Sequence, residues 1–107
     1  MNEALDALQQ NYFYLTDNLD DLLDRCQTDA QKQQLKADYQ QATANFYQAR
    51  NKIFQANDAG ISQAVTQLKA AQTSLEKMTQ ELASAASVIN AITTAVRIGT
   101  ELAAMAK

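Results

Sequence analysis

The chain of 107 residues has no proline, no histidine and no tryptophan, only two glycines and a single cysteine. Each shortage excludes something. Without proline nothing covalent stops a helix, so helix ends must come from capping residues. Without histidine, Ser–His and Cys–His nucleophilic catalysis has no base, and the di-metal carboxylate sites of helical bundles lack their usual ligands. One cysteine cannot close an internal disulfide, so a cross-linked secreted scaffold is not expected. Cys26 has only Arg25 as a nearby cation in sequence and reads as a small buried thiol. Gly60 and Gly99 stand too far apart to form a phosphate-cradling loop, and no ligand spacing suits zinc. The expectation is a protein that is not an enzyme and holds no cofactor or metal.

Two further absences concern location. No uncharged apolar run is long enough to span a bilayer. The first residues carry Glu3 and Asp6, where a signal peptide needs a basic start and an apolar run. A cytoplasmic protein is expected, with export that needs no cleaved signal left open.

What is present favours helix. Ala and Gln are abundant, and apolar residues alternate at spacings of three and four in three stretches. The first is Leu5, Leu8, Tyr12, Leu15, Leu19, Leu22 and Cys26; the second runs from Leu35 through Tyr39, Ala42, Phe46, Ala49 and Ile53 to Ala56. The third runs from Ala64 through Leu68, Leu75, Leu82, Ile89, Ile92 and Val96 to Ala106. No charged or amide side chain falls on these seams. The pattern predicts an all-α fold: an antiparallel, coiled-coil-like bundle of three helices in one domain over 1–107, with a long two-helix hairpin as the alternative. Helix 1 is expected over about 3–26, helix 2 over 29–56 and helix 3 over 62–106.

The first two seams are out of phase by one residue. Thr28-Asp29-Ala30-Gln31 reads as a capping box after a tight turn at 27 and 28; a continuous helix with a local distortion is the rival. Asn57-Asp58-Ala59-Gly60 is the second break, with Gly60 taking a left-handed conformation and Ser62 capping helix 3. Helix 2 is expected to pack antiparallel on helix 3, Ala49 opposite Leu68 and Phe46 opposite Ala71.

In that arrangement helix 3 outruns its partners at about residue 86. The remaining segment is apolar on a broad stripe, which needs more than one packing neighbour. A second copy covering Ile89, Ile92, Val96, Ile98 and Leu102 is the favoured burial, making a homo-oligomer. A rod of helices 1 and 2 lying along helix 3, with Ile92 facing Cys26, is another. A membrane surface is the third, disfavoured because the polar stripe of Asn90, Thr94, Arg97 and Glu101 lacks positive charge.

Charge is uneven. Residues 1–30 hold seven acidic groups against Arg25 alone, while the remainder holds eight basic and five acidic groups. This sign disfavours nucleic acid. Asp20-Asp21-Leu22-Leu23-Asp24 spells DDxxD and resembles the aspartate-rich motif of polyprenyl synthases, which implies magnesium–diphosphate binding. That family pairs it with a second such motif on a facing helix, and this chain has none, so a solvated acidic face is the reading of the residues themselves. Asp17, Asp20, Asp21 and Asp24 could also steer a basic partner. Phe13, Tyr14, Tyr47 and Phe54 lie off the seams and either mark an interface or widen the core.

Together these features predict a non-enzymatic, self-associating protein-interaction module. Its sharpest version is an immunity or antitoxin-type inhibitor whose acidic helix 1 docks on a basic partner such as a toxin. In length and in its mid-chain turn the chain also resembles the WXG100 family, which implies an exported helical hairpin; Asn57-Asp58-Ala59-Gly60 stands where that family has its Trp-x-Gly turn. A membrane-active helical protein is the third reading.

Overall fold

A computed structural model describes residues 3–55 and 58–107. Four α-helices follow one another: α1 Glu3–Arg25, α2 Asp29–Ala49, α3 Ala59–Gln80 and α4 Ala85–Ala104. No strand occurs among the described residues.

The first turn follows its caps. Thr28 Oγ1 accepts from the Gln31 N–H at 3.1 Å, and Gln31 Oε1 accepts from the Gln27 N–H at 2.7 Å. Helices α1 and α2 are therefore separate, with Cys26 in the turn. The second break differs from expectation. Asp58, not Ser62, caps α3: its carboxylate accepts from the N–H groups of Gly60 at 2.8 Å and Ile61 at 3.2 Å, where a helix start favours an anion. Gly60 thus lies in the first turn, and no described glycine has a positive φ. Helix α2 stops at Ala49 rather than running on; the expected end at Ala56, like Asn57, lies outside the described residues. Past α2, Ile53 exchanges two backbone hydrogen bonds of 2.8 Å with Lys107.

The largest correction concerns the expected third helix, which is two helices. Helix α3 ends in a doubly bonded cap: the Ala83 N–H reaches Met78 O at 3.0 Å and the Leu82 N–H reaches Thr79 O at 3.3 Å. Leu82 takes φ 58°, the left-handed position that glycine usually fills. Ser84 then caps α4 by accepting from the Ser87 N–H at 3.3 Å. An L-residue in this conformation costs about 1–2 kcal/mol, and the Leu82 side chain is 75% exposed, so its packing returns little. Leu82→Gly should raise stability by up to about 1 kcal/mol, read as a higher urea midpoint with an unchanged slope.

Folding back at Leu82 lets α4 bury its apolar stripe on its own chain. Two clusters show the directions. One joins Ala4 and Leu8 of α1, Ala49 of α2, Ile61 and Leu68 of α3, and Leu102 of α4. The other joins Leu22, Leu35, Leu75, Val88 and Ile92. The helices therefore alternate up and down along the chain. Helices α2 and α3 lie on a diagonal without direct contact, whereas α4 touches all three others. The expected packing of Ala49 on Leu68 across a helix 2–helix 3 face is replaced by two hairpins, α1–α2 and α3–α4, laid side by side. The extents of 43 × 22 × 19 Å match a bundle two helices wide in each direction.

This arrangement removes the overhang. Ile89, Ile92, Val96 and Leu102 are buried within the subunit, and Ile98 is packed at the edge of the first cluster. The surfaces expected to meet a second copy are covered by α1, α2 and α3.

The expected seams hold at Leu8, Leu15, Leu22, Leu35, Ala42 and Ala49, but the aromatic levels between them shift by one residue. Buried positions in α1 include Leu8, Asn11, Leu15 and Leu22, and in α2 Leu35, Asp38, Ala42, Asn45 and Ala49. Asn11, Asp38 and Asn45 thus occupy the inner face where Tyr12, Tyr39 and Phe46 were expected. The interior is tight. A Cβ added at Gly99 on α4 would stand 3.3 Å from Leu8 Cδ2 and 3.4 Å from Asn45 Nδ2. Rings do not fit between helices that approach so closely, so they move to the α1–α2 flank.

Candidate functional site

On that flank five aromatic rings meet. Antiparallel α1 and α2 bring Tyr12 over Phe46 at 5.5 Å between centroids, nearly parallel at 25°. Phe13 lies 5.6 Å from Tyr12, Tyr47 meets Phe46 edge-on at 5.3 Å, and Tyr39 lies 6.2 Å from Tyr12. The Arg50 guanidinium sits over Tyr47 at 5.0 Å, within cation–π range. Tyr12 and Phe46 are stacked, Tyr47 meets both edge-on and the other pairs are tilted, all within the favoured range of centroid distances. Phe13 and Tyr47 remain 47% and 48% exposed. The Tyr47 hydroxyl, then partial burial, pushes the Tyr12 phenol above its ordinary value, so it stays neutral at physiological pH.

Next to this cluster a shallow, open groove of about 410 Å³ lies along the outer face of α1, lined by Asp6, Gln9, Gln10, Phe13, Tyr14 and Asp17 of that helix and edged by Glu76 of α3. Asp6 and Asp17 stand eleven residues apart, close to three helical turns, and so share one face. Glu76 arrives because α3 runs beside α1 in the same direction. Asn11 Nδ2 donates to Gln72 Oε1 at 2.9 Å, fixing the register of the two helices, and Glu76 is one turn further along α3.

The structure sorts the sequence-derived residues into four groups. Phe13 and Tyr47 join the exposed aromatic cluster. Tyr14 and Asp17 join the groove. Phe54 packs against the first core cluster instead. Asp20, Asp21 and Asp24 are exposed beyond the groove, and no group of three ligating His, Cys, Asp or Glu side chains converges among the described residues. Sequence reasoning missed Tyr12 and Phe46, which it placed in the core, and Asp6 and Glu76. The three-turn spacing of Asp6 and Asp17 was the available signal; Glu76 had none, because its position depends on which helix lies beside α1.

A second set of polar residues is buried, and all of it lies between the two hairpins. Besides Asn11–Gln72, Asn45 Nδ2 donates to Thr100 Oγ1 at 3.1 Å, and Thr93 Oγ1 donates to Asp38 Oδ2 at 2.6 Å. Gln34 Nε2 donates to the other Asp38 oxygen at 3.0 Å. No buried side-chain polar atom among the described residues lacks a partner, and these bonds specify how the hairpins dock.

Burial pushes the Asp38 carboxyl above its ordinary value, against the opposing hydrogen bonds from Thr93 and Gln34. The folded state therefore holds the proton more tightly than the unfolded chain. The contribution of this group makes stability rise as pH falls from neutral through the raised folded value, levelling off below the ordinary carboxylate range near about 4. Asp38→Asn keeps the shape and can accept from Thr93, with Gln34 turning its amide. Urea unfolding across pH should give a shallower acid rise for Asp38→Asn than for the parent; parallel curves would contradict this.

The Cys26 thiol donates to Leu22 O at 3.4 Å. Burial pushes its pKa up, opposed by the charge of Lys32, so it carries little thiolate at neutral pH. Cys26 is half-buried and packs against the second cluster.

Fold and surface together define a four-helix bundle with an aromatic and acidic outer flank and a fully satisfied interior. No described helix is long and apolar enough to cross a membrane. Comparison with protein-family models, with curated proteins and with solved structures finds no match to this chain.

Proposed function

We propose that this chain is a non-enzymatic protein-interaction module that docks a basic partner protein across the outer face of α1, as an immunity or antitoxin-type inhibitor does. The observation that carries the reading is the pair of half-exposed rings, Phe13 and Tyr47, seated on Tyr12 and Phe46. Rings held in place before binding lose little freedom when a partner lands on them, and such aromatic anchors supply much of the affinity of protein interfaces. Tyr47 stands on α2, and the helix that presents Phe13, Glu3–Arg25, carries six carboxylates against one cation. Its field speeds encounter with basic surfaces and opposes acidic ones. A cytoplasmic location accords with such a role.

The test is capture from an extract of the native host. Phe13→Ala/Tyr47→Ala removes both anchors at half-exposed positions, where the lost ring contacts should lower fold stability by about 1–3 kcal/mol, with circular dichroism checking that the helices are kept. The parent should retain a basic protein that the double variant loses, and retention should weaken as salt rises. Identical captured sets for both proteins would overturn the reading.

A further inference from the structure

We infer that the shallow groove on the outer face of α1, where Glu76 of α3 edges it, receives an arginine-bearing segment of the partner, with the guanidinium lying against Phe13 and Tyr14 and bonded to Asp17 and Glu76. The inference rests on the proposed function and specifies the chemistry of the occupant.

Three properties of the groove lead there. It is elongated: Asp6 and Asp17 mark its ends about 16 Å apart along α1, the span of a short extended segment rather than of a single ion. It is lined by acceptors and rings, and none of its lining residues is a cation. The nearest cation of α1, Arg25, is spent on Thr79 O at 3.1 Å, and Arg50 is spent on Tyr47. The third property is its fixed geometry. Gln72 Nε2 donates to Glu76 Oε2 at 3.4 Å while accepting from Asn11, so one Glu76 oxygen is tied to the buried polar contact at the edge of the groove.

Carboxylates flanking aromatic faces suit a planar guanidinium better than an ammonium. Arginine stacks flat on a ring while its edge donates two parallel bonds to a carboxylate; lysine offers a compact, strongly hydrated charge that does one or the other. An acidic groove repels phosphate, so the occupant is polypeptide and not nucleic acid.

The experiment is an NMR titration of the full chain with two probes, acetyl-Gly-Arg-Leu-Arg-Gly-amide and its lysine counterpart. Amide shifts should centre on Gln10, Phe13, Tyr14, Asp17 and Glu76, and the arginine peptide should bind at least about threefold more tightly. Asp6→Asn/Asp17→Asn/Glu76→Gln should weaken it about tenfold. Asp20→Asn/Asp21→Asn/Asp24→Asn makes the same change in net charge outside the groove and should weaken it less than about threefold. Equal losses in the two triple variants, equal affinities for the two peptides, or shifts centred elsewhere would each overturn the inference. Failure here is separable from failure of the functional reading. A host partner lost with Phe13→Ala/Tyr47→Ala but kept by the groove variant leaves the docking face standing and removes the arginine. Peptide binding in the groove with no ring-dependent partner does the reverse.

Discussion

Ile92→Ala should lower the unfolding free energy by about 2–5 kcal/mol. Ile92 is completely buried where α4 meets Leu15, Leu22, Leu35 and Leu75. Truncation removes the transfer energy of three carbons and leaves a void that four separate helices line, so collapse around it is limited. A domain of this size has a stability of about 5–15 kcal/mol, so the variant loses a large share of the total. The measurement is urea unfolding followed by circular dichroism at low protein concentration and again at high concentration. A large, concentration-independent loss is expected, because the residue is covered by its own chain. A loss below about 0.5 kcal/mol would mean that Ile92 is not in the interior. A midpoint that rises steeply with concentration would mean that a second copy covers it.

Gly99→Leu is the second large effect, for the opposite reason. The position has room for less than a methyl group: Leu8 Cδ2, Asn45 Nδ2 and Leu68 Cδ2 would lie 3.3, 3.4 and 4.0 Å from an added Cβ. A leucine side chain must push α4 away from α1, at a cost of about 1–3 kcal/mol or more for overpacking. It also displaces Asn45 from Thr100 and from Val96 O, stranding a buried amide for a further loss of about 1–3 kcal/mol. Gly99→Ala is the informative companion. Its contacts are the ends of flexible side chains, and alanine gains up to about 1 kcal/mol in helix propensity over glycine, so the two terms should nearly cancel. Unfolding curves for the pair should therefore differ by several kcal/mol in effect, the leucine variant also losing cooperativity. If leucine is tolerated as well as alanine, α4 does not approach α1 closely and the explanation given for the displaced rings fails.

Those rings mark how far the sequence can be read. The helix-forming character of the chain, the capped turn at Thr28 and the break before Gly60 were all legible, because each follows from local chemistry: propensity, a capping side chain, or a run of turn formers. Of the docking face, Phe13, Tyr47 and Asp17 were legible as residues off the apolar seam. Tyr12 and Phe46 were not, because apolar spacing cannot say whether a ring or its polar neighbour turns inward. Asn11, Asp38 and Asn45 sit one residue before Tyr12, Tyr39 and Phe46, and which of each pair turns inward is decided only by the closeness of the opposing helices.

The break at Leu82 was illegible for a different reason. Its neighbours contain no proline or glycine, and leucine on a seam reads as core. The left-handed turn there persists because α4 gains far more by folding back onto α1, α2 and α3 than one strained residue costs. The amino-acid pattern alone therefore determined that the chain is helical, where two of its three turns fall, and that its first helix is acidic; these are properties of neighbours along the chain. Tertiary structure alone decided that there are four helices and not three, that Ile92 is covered from within, and that Glu76 joins Asp6, Phe13 and Asp17. Each of those depends on which helix lies beside which, and that is set by the burial of α4 as a whole.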